Sequence, residues 1–475
     1  MSNRSLAAPF VRAASWGLGA ALILSAQSAH ATGFLTDQFG SDQGQPALAS
    51  AYSVYFNPAA MAGMHGTELT LDGVLAARSL DYTRTNNALS SSTSPPLGDP
   101  IYTSANTGSA HLFNVLGAPY LGFVTDFGHS NMRLGLASYI PFGGQATWGK
   151  NDQYLGNALA PGGYDGPQRW SSISASTFSI YSTAAFAYRF DKARLGLGAS
   201  VSAIRTSLQD TRARNPDGSD DIVSPNGLIK EGRSYLDVAG IQVGAAAGVY
   251  WEATSDGRLR LGASYTSQPN FGQMRLAGTF KFTPGALGAE GTSDVDLLQA
   301  YPDVIRAGAA WRVSPETELR LDASWQRWSN FKSQCVVPRG GSCPVDSKGV
   351  SDSSTITLDL PRAWQDAFKV RLGLAYWITP STELFGSGAY ESPPVTKSHE
   401  DPLIFDSTRI YGTLGVRHGF NRHFHASLSY TYVYFVPLTV NDSANVTSGP
   451  SASPSTNGNY SSELYFFDAA VSYRF

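Results

Sequence analysis

Residues able to do chemistry are sparse in this sequence and do not converge. The eight histidines are scattered, with His30 near the start, His65 and His129 beside turn-forming residues, and His423 two positions before His425. An i, i+2 pair shares one face of a strand, but with no cysteine or acidic ligand beside it this pair reads as structural rather than as a zinc site. His-Glu-x-x-His, Gly-x-Ser-x-Gly, the P-loop and the dinucleotide fingerprint are absent. No metal, cofactor or enzymatic activity is therefore expected. A lipid or ester hydrolase that gathers its site from several strands is the alternative in that class. Cys335 and Cys343, with Pro338, Gly340 and Gly341 among the seven residues between them, are the two cysteines. In an oxidising compartment they are expected to close an external loop as a disulfide, worth about 2–3 kcal/mol. Arg205, followed by Asp210, Arg212 and Arg214, is placed either to hold a ligand carboxylate in a bidentate pair or to meet lipid phosphates.

The elements that must position these residues follow from composition and periodicity. Of 475 residues only 15% are charged, against about 25% in an average soluble domain. Aromatic residues make 12%, and 48 Gly with 26 Pro dilute the helix formers, so a helical bundle is disfavoured. The net charge of −3 offers no basic excess for a phosphate backbone, which excludes nucleic acid as a partner. Arg4 and Arg12 precede an apolar run from Ala13 to Ala26, followed by Ala29-His30-Ala31. A run of fourteen residues falls short of the ~20 a transmembrane helix needs. Residues 1–31 therefore read as a secretory signal, with the mature chain starting at Thr32. No later stretch is long and apolar enough to cross a membrane as a helix, so a membrane form would have to be a closed barrel.

From residue 67 the pattern alternates with period two. Leu195, Leu197, Ala199, Val201 and Ala203 alternate with Gly and Ser; Leu319, Leu321, Ala323 and Trp325 alternate with Arg320, Asp322 and Ser324. Such segments are strands with one apolar face. Short turns are expected at 128–130, 191–192, 254–257, 314–316, 379–381 and 421–422. Longer polar connections are expected at 86–109, 150–168, 212–232, 284–295, 334–354, 392–402 and 441–460. They alternate strictly, giving thirteen connections and fourteen strands with both ends on the short-turn side. This is the plan of a bacterial outer-membrane β-barrel. The expected fold is all-β, a transmembrane antiparallel barrel over 67–475 in the cell outer membrane, in contact with membrane lipid and lipopolysaccharide. The last strand carries Tyr465, Phe467, Ala469, Val471, Tyr473 and Phe475 on one face, and its terminal aromatic resembles the signal read by the barrel-assembly machinery.

Residues 32–66 lack alternation yet carry many apolar groups, which reads as a hatch folded into the lumen. Their Gly33-Phe34 start, Ala49-Ser50-Ala51-Tyr52 and Asn57-Pro58-Ala59 resemble the N-terminal hatch of the FadL/TodX family of outer-membrane transporters for long-chain fatty acids and other hydrophobic compounds. The resemblance continues through Ser138-Tyr139-Ile140-Pro141-Phe142-Gly143-Gly144, Gly196-Leu197-Gly198 with Arg205, Trp325 to Phe331, Trp364 to Gly373 and Tyr390 to Val395. Two positions depart from it. Ser392 stands where the family has a loop Asp, and Gln365 where a basic residue is expected before Asp366; losing that basic residue shifts the balance from fatty acids toward neutral hydrocarbons.

The resemblance implies an uptake channel for hydrophobic small molecules working by passive diffusion through apolar sites. A polar sugar layer repels such molecules and a water-filled pore gives them no favourable transfer, so sideways release into the membrane is expected at a kinked strand. Pro141 lacks the N–H a ladder needs, and Gly143 and Gly144 tolerate bulged dihedrals; with Phe142 they form the expected kink. Asn57, Pro58 and Ala59 are the expected gating residues of the hatch, and a non-selective hydrophilic porin is the remaining alternative.

Overall fold

A computed structural model describes residues 38–475 except 130, 287–288, 352 and 445–448. The expected signal segment and the first residues of the hatch lie outside the described residues. Nineteen regular stretches form one closed antiparallel sheet, and five of them continue a neighbour across a short break, so the wall has fourteen strands. These are β1 (Thr67–Arg84), β2 (Gly108–Thr125), β3 (Met132–Thr147), β4 (Ser174–Phe190), β5 (Leu195–Arg214) and β6 (Gly232–Glu252). Then come β7 (Leu259–Thr266 and Met274–Thr283), β8 (Gly291–Gln299 and Val304–Arg312), β9 (Thr317–Gln326 and Ser333–Pro338) and β10 (Leu358–Pro361 and Ala367–Thr379). The circuit ends with β11 (Thr382–Glu391), β12 (Arg409–Gly419), β13 (Phe424–Phe435 and Leu438–Val440) and β14 (Gly458–Arg474).

Closure is made by β1 against β14, in register from Glu68↔Arg474 to Arg84↔Gly458. The Phe475 N–H completes the seam on the Thr67 carbonyl at 3.0 Å. A terminal aromatic at the seam sits where the last hydrogen bond of closure forms, so deletion of Phe475 is expected to cut the heat-modifiable form in outer-membrane fractions sharply. Undiminished assembly on a gel-shift assay would contradict this.

The outward rows are apolar throughout the middle of the wall. Ile241 and Leu414 are 73% and 72% exposed, an arrangement that water would penalise by about 1.5–3 kcal/mol per side chain and that lipid favours. Aromatic residues rim this band, with Trp251, Trp311, Phe420 and Tyr473 toward the short turns and Tyr265, Trp325, Phe368 and Tyr434 toward the long loops. No helix among the described residues is long and apolar enough to cross a membrane.

Four neighbouring strands, β7 to β10, break at one level. Thr266, Val304, Gln326 and Ala367 are joined through the ladder below the breaks, and Met274, Gln299, Cys335 and Leu358 lie above them. Tyr301, Trp328, Phe331 and Trp364 occupy the breaks and turn into the lumen, where all four are buried. An inward aromatic cluster on one wall thus replaces four rungs of the ladder. Cys335 and Cys343 form a disulfide. Cys335 lies in the upper piece of β9, paired with Leu298 and Asp359, and not in the loop where the sequence pattern put it: the apolar Val336 and Val337 extend the strand past the break.

Candidate functional site

The hatch lies inside the barrel and matches its backbone to a floor of glycines. Residues 38–66 run as short helical turns, Ser41–Gln43, Ser53–Phe56 and Pro58–Gly63. Asn57 is fully buried and uses every polar atom of its side chain. Its Oδ1 accepts from the Ala59 N–H at 3.1 Å, capping the last turn, and its Nδ2 donates to the Pro46 carbonyl at 2.8 Å and to the Val249 carbonyl of β6 at 2.9 Å. Pro58 takes the first helical position, where its missing N–H costs nothing. Beneath this bend the wall has no side chains. A Cβ at Gly198 would lie 2.4 Å from the Ala59 nitrogen, one at Gly248 2.1 Å from Asn57 Oδ1, and one at Gly262 1.9 Å from the Pro46 oxygen. In the sequence Gly196 and Gly198 stand out as the small face of an alternating strand and as part of a family-like segment; glycines on the inward face of three successive strands, β5 to β7, are the signal that marks the seat.

Around the rest of its rim the hatch is tied by charge. Asp72 of β1 accepts the Gly40 N–H at 2.6 Å and the Tyr52 hydroxyl at 2.9 Å. Arg371 of β10 donates to the Ser41 and Gly44 carbonyls at 3.0 and 2.7 Å. Asp42 pairs with Arg320 of β9, which also holds Glu318 and Glu383, each at 2.8 Å. A buried network of this kind is costly to break one member at a time, because the partner is left uncompensated.

Above the hatch the wall is open. The β2–β3 ladder covers only Tyr120–Thr125 of β2 against Leu134–Tyr139 of β3, although β2 stays fully paired with β1 along its length. At this point β3 carries an extra residue: Tyr139 faces Tyr181 of β4 and Phe142 faces Ser179, so Ile140 and Pro141 oppose the single residue Ile180. This bulge swings the upper half of β3 away from β2. Asn114 ties the two strands again higher up, donating to the Thr147 carbonyl at 3.3 Å and accepting the Thr147 N–H at 3.0 Å. Between these limits Val115–Pro119 have no ladder partner on β3 among the described residues, leaving a window of about 16 Å at 3.3 Å per residue. Pro141 lies in the bulge, Gly144 lines the inner side of the bent strand with Gly143 on the opposite face, and Phe142 points away from the window. Phe142 stacks on Tyr301 at 4.8 Å between ring centres, and through Tyr181, Tyr139 and Tyr120 the rings run on to Phe39 of the hatch.

Directly inside the bent strand lies an apolar cavity. Gly144 and Ala146 of β3 form one side, Leu208, Leu236 and Leu297 the opposite wall, and Leu403 and Ile404 close it from above. Arg205 does not reach it. Register through β4, β5 and β6 is unbroken at this position, so no bulge turns the side chain inward; it stands exposed in the outward row between Ile180 and Ile241. The cation at the cavity is Arg212, paired with Asp210.

Leu403 and Ile404 belong to the loop 392–408, which dips into the barrel mouth and is held by Arg78 Nη2 on the Phe405 carbonyl at 2.8 Å. Burial, with the Asp406 and Asp401 carboxylates nearby, keeps Glu400 well above the usual carboxylate range although its Oε1 accepts the Asp406 N–H. Burial likewise pushes Asp406 up to about 6, against the pull of Arg409 at 3.3 Å. A raised carboxyl binds its proton in the folded loop before the unfolded chain does, so this contribution to stability is complete below the ordinary carboxylate pKa and is lost as pH rises through the folded value. The loop is accordingly expected to resist external protease better at pH 5 than at pH 7.5. In Glu400→Gln, which is neutral at both, protection at pH 7.5 should increase and the difference shrink. Equal protection of the parent at both pH values would contradict this.

The chain resembles known proteins over nearly its whole length. A putative outer membrane protein of Neisseria meningitidis serogroup B is 20% identical over 434 residues, covering 86% of this chain and 87% of that one. The crystal structure of a Pseudomonas aeruginosa FadL homologue superposes with a TM-score of 0.72 at 16% identity, covering 94% of this chain and all of that one. The P. putida toluene transporter TodX gives 0.63 at 15% identity, covering 94% and 99%. Residues 13–475 match the model of one family, and the chain, an outer-membrane β-barrel with a hatched lumen, belongs to it: the outer membrane protein transport proteins (OMPP1/FadL/TodX).

Proposed function

We propose that the protein carries hydrophobic small molecules inward across the outer leaflet by passive diffusion, and that it is a channel rather than an enzyme. The ligand enters from the mouth past the loop 392–408, rests in the apolar cavity, and leaves sideways through the β2–β3 window into the membrane, with Asn57, Pro58 and Ala59 keeping the axial route shut. The observation that carries this reading is the adjacency of three features: a hatch seated on a glycine floor, a greasy cavity above it, and a break in the wall bordered by Gly144 and Ala146 of that same cavity. A water-filled axial pore would offer such a ligand no gain in free energy, whereas the cavity and the acyl chains beyond the window both do. A relative whose structure is described as a toluene transporter supports the same ligand class. At the outer face we assign Arg205 to lipopolysaccharide phosphates, since its outward row is apolar up to Ala203 and polar from Ser207.

Uptake of radiolabelled toluene and oleate by cells with and without the gene tests the reading. A gene-dependent rate for at least one of them, with no change in entry of small sugars, is the expected result. Gene-dependent entry of sugars alone would make the protein a porin.

A further inference from the structure

The polar atoms of the cavity specify the head of its ligand. Two acceptor oxygens in its lining are buried and have no partner, Asp210 Oδ1 and Gln145 Oε1. Asp210 is 7% exposed and Arg212 5%. Arg212 brings both Nε, at 2.7 Å, and Nη2 onto one oxygen of that carboxylate, Oδ2, and so leaves Oδ1 bare. Other polar side chains of the lining are engaged: Gln334 donates to Gln299 at 2.8 Å and accepts from Arg362 at 2.9 and 2.6 Å, and the Thr177 hydroxyl donates to the Ser207 carbonyl at 3.1 Å. Asp210 Oδ1 therefore lacks a donor, while the walls around it are aliphatic, from Leu208, Leu236, Leu297, Val336, Leu358 and Leu360.

Resting on the proposed uptake function, we infer that the ligand of this cavity is a neutral molecule with an aliphatic body and a hydroxyl head, the hydroxyl donating to Asp210 Oδ1. An ionised carboxylate brings no donor and meets the negative Asp210, whose balancing charge is already engaged. An ammonium head brings a donor but meets Arg212. A plain alkane fills the apolar volume and leaves both buried oxygens unpartnered, which is the expensive condition for a polar group. A hydroxyl alone supplies the missing donor without changing the charge balance of the pair.

The test is equilibrium binding of four compounds of one chain length, 1-octanol, octane, octanoate and octylammonium, to the full chain in lipid nanodiscs, with empty nanodiscs subtracted for partitioning. 1-Octanol is expected to bind about tenfold more tightly than each of the others, the scale of one hydrogen bond to a charged group. Removing one member of the pair risks misfolding, so the variant replaces both, Asp210→Leu with Arg212→Met; there the octanol preference is expected to vanish and octane to bind best. Binding of octane, octanoate or octylammonium as tight as that of octanol in the parent, or a preference unchanged in the double variant, overturns the hydroxyl assignment while leaving the uptake reading intact. Binding of none of the four overturns both, because the cavity is then not a ligand site.

Discussion

Replacing Gly198 by valine is expected to open the axial route that we propose the hatch closes. The backbone at Gly198 is ordinary strand, and valine is favoured in strands, so the barrel should assemble normally. The side chain, however, must begin 2.4 Å from the Ala59 nitrogen, where backbone and not a flexible side chain would have to move. Overpacking of this kind costs about 1–3 kcal/mol. Displacing the bend also breaks the bond from Asn57 to the Val249 carbonyl of the wall, worth about 1 kcal/mol net. Together these shift the seated-to-unseated ratio by roughly thirtyfold or more at 1.4 kcal/mol per decade. Swelling of proteoliposomes in small sugars should rise accordingly, while Gly412→Val, at a glycine with open space around it, should stay at the parental rate. Parental leak in a well-assembled Gly198→Val protein would show that the glycine floor does not seat the hatch.

The second large effect is expected at the window. Deleting Pro141 removes the extra residue of the bulge and restores one-to-one pairing of β3 with β4, so the upper half of β3 no longer has a reason to leave β2. The ladder can then extend from Tyr120↔Tyr139 toward Asn114. Toluene uptake should fall about tenfold or more, since a barrier higher by only 1.4 kcal/mol already gives that factor. Hatch and polar leak should be unaffected, because the glycine seat lies on β5, β6 and β7, away from β3.

Much of this architecture is legible in the sequence because a barrel wall is a local pattern. Period-two alternation set the strands, and each of the six short turns falls between two strands as expected, for instance at Asp191-Lys192 between β4 and β5. The outward position of Arg205 follows from the same alternation once no bulge intervenes. The breaks in β7 to β10 were not legible: Trp328, Phe331 and Trp364 stand out in the sequence only as parts of the family-like segments Trp325 to Phe331 and Trp364 to Gly373, and only neighbouring strands breaking at one level reveal that they turn inward. The glycine seat escaped for a related reason, since alternating Gly and Ser look like any small inner face until a hatch is laid on them. The cavity draws on six or more strands and a loop, and no window of contiguous residues contains it. Its acceptor-rich chemistry depends on two Arg212 donors converging on one oxygen, a fact of geometry alone.

Reversible bridging of the window tests the central claim most directly. Ala118 and Pro141 occupy the first inward positions above the last pair, Tyr120↔Tyr139, so Ala118→Cys with Pro141→Cys can tie the two edges covalently. Initial uptake of radiolabelled toluene would be measured in oxidised cells and again after mild reduction, with the parent treated alike to account for Cys335–Cys343. Lateral release predicts uptake near the gene-deleted background while the bridge is closed and recovery on reduction, with the parent indifferent. Equal uptake in both states, with the bridge verified by mass spectrometry, would contradict release through the wall.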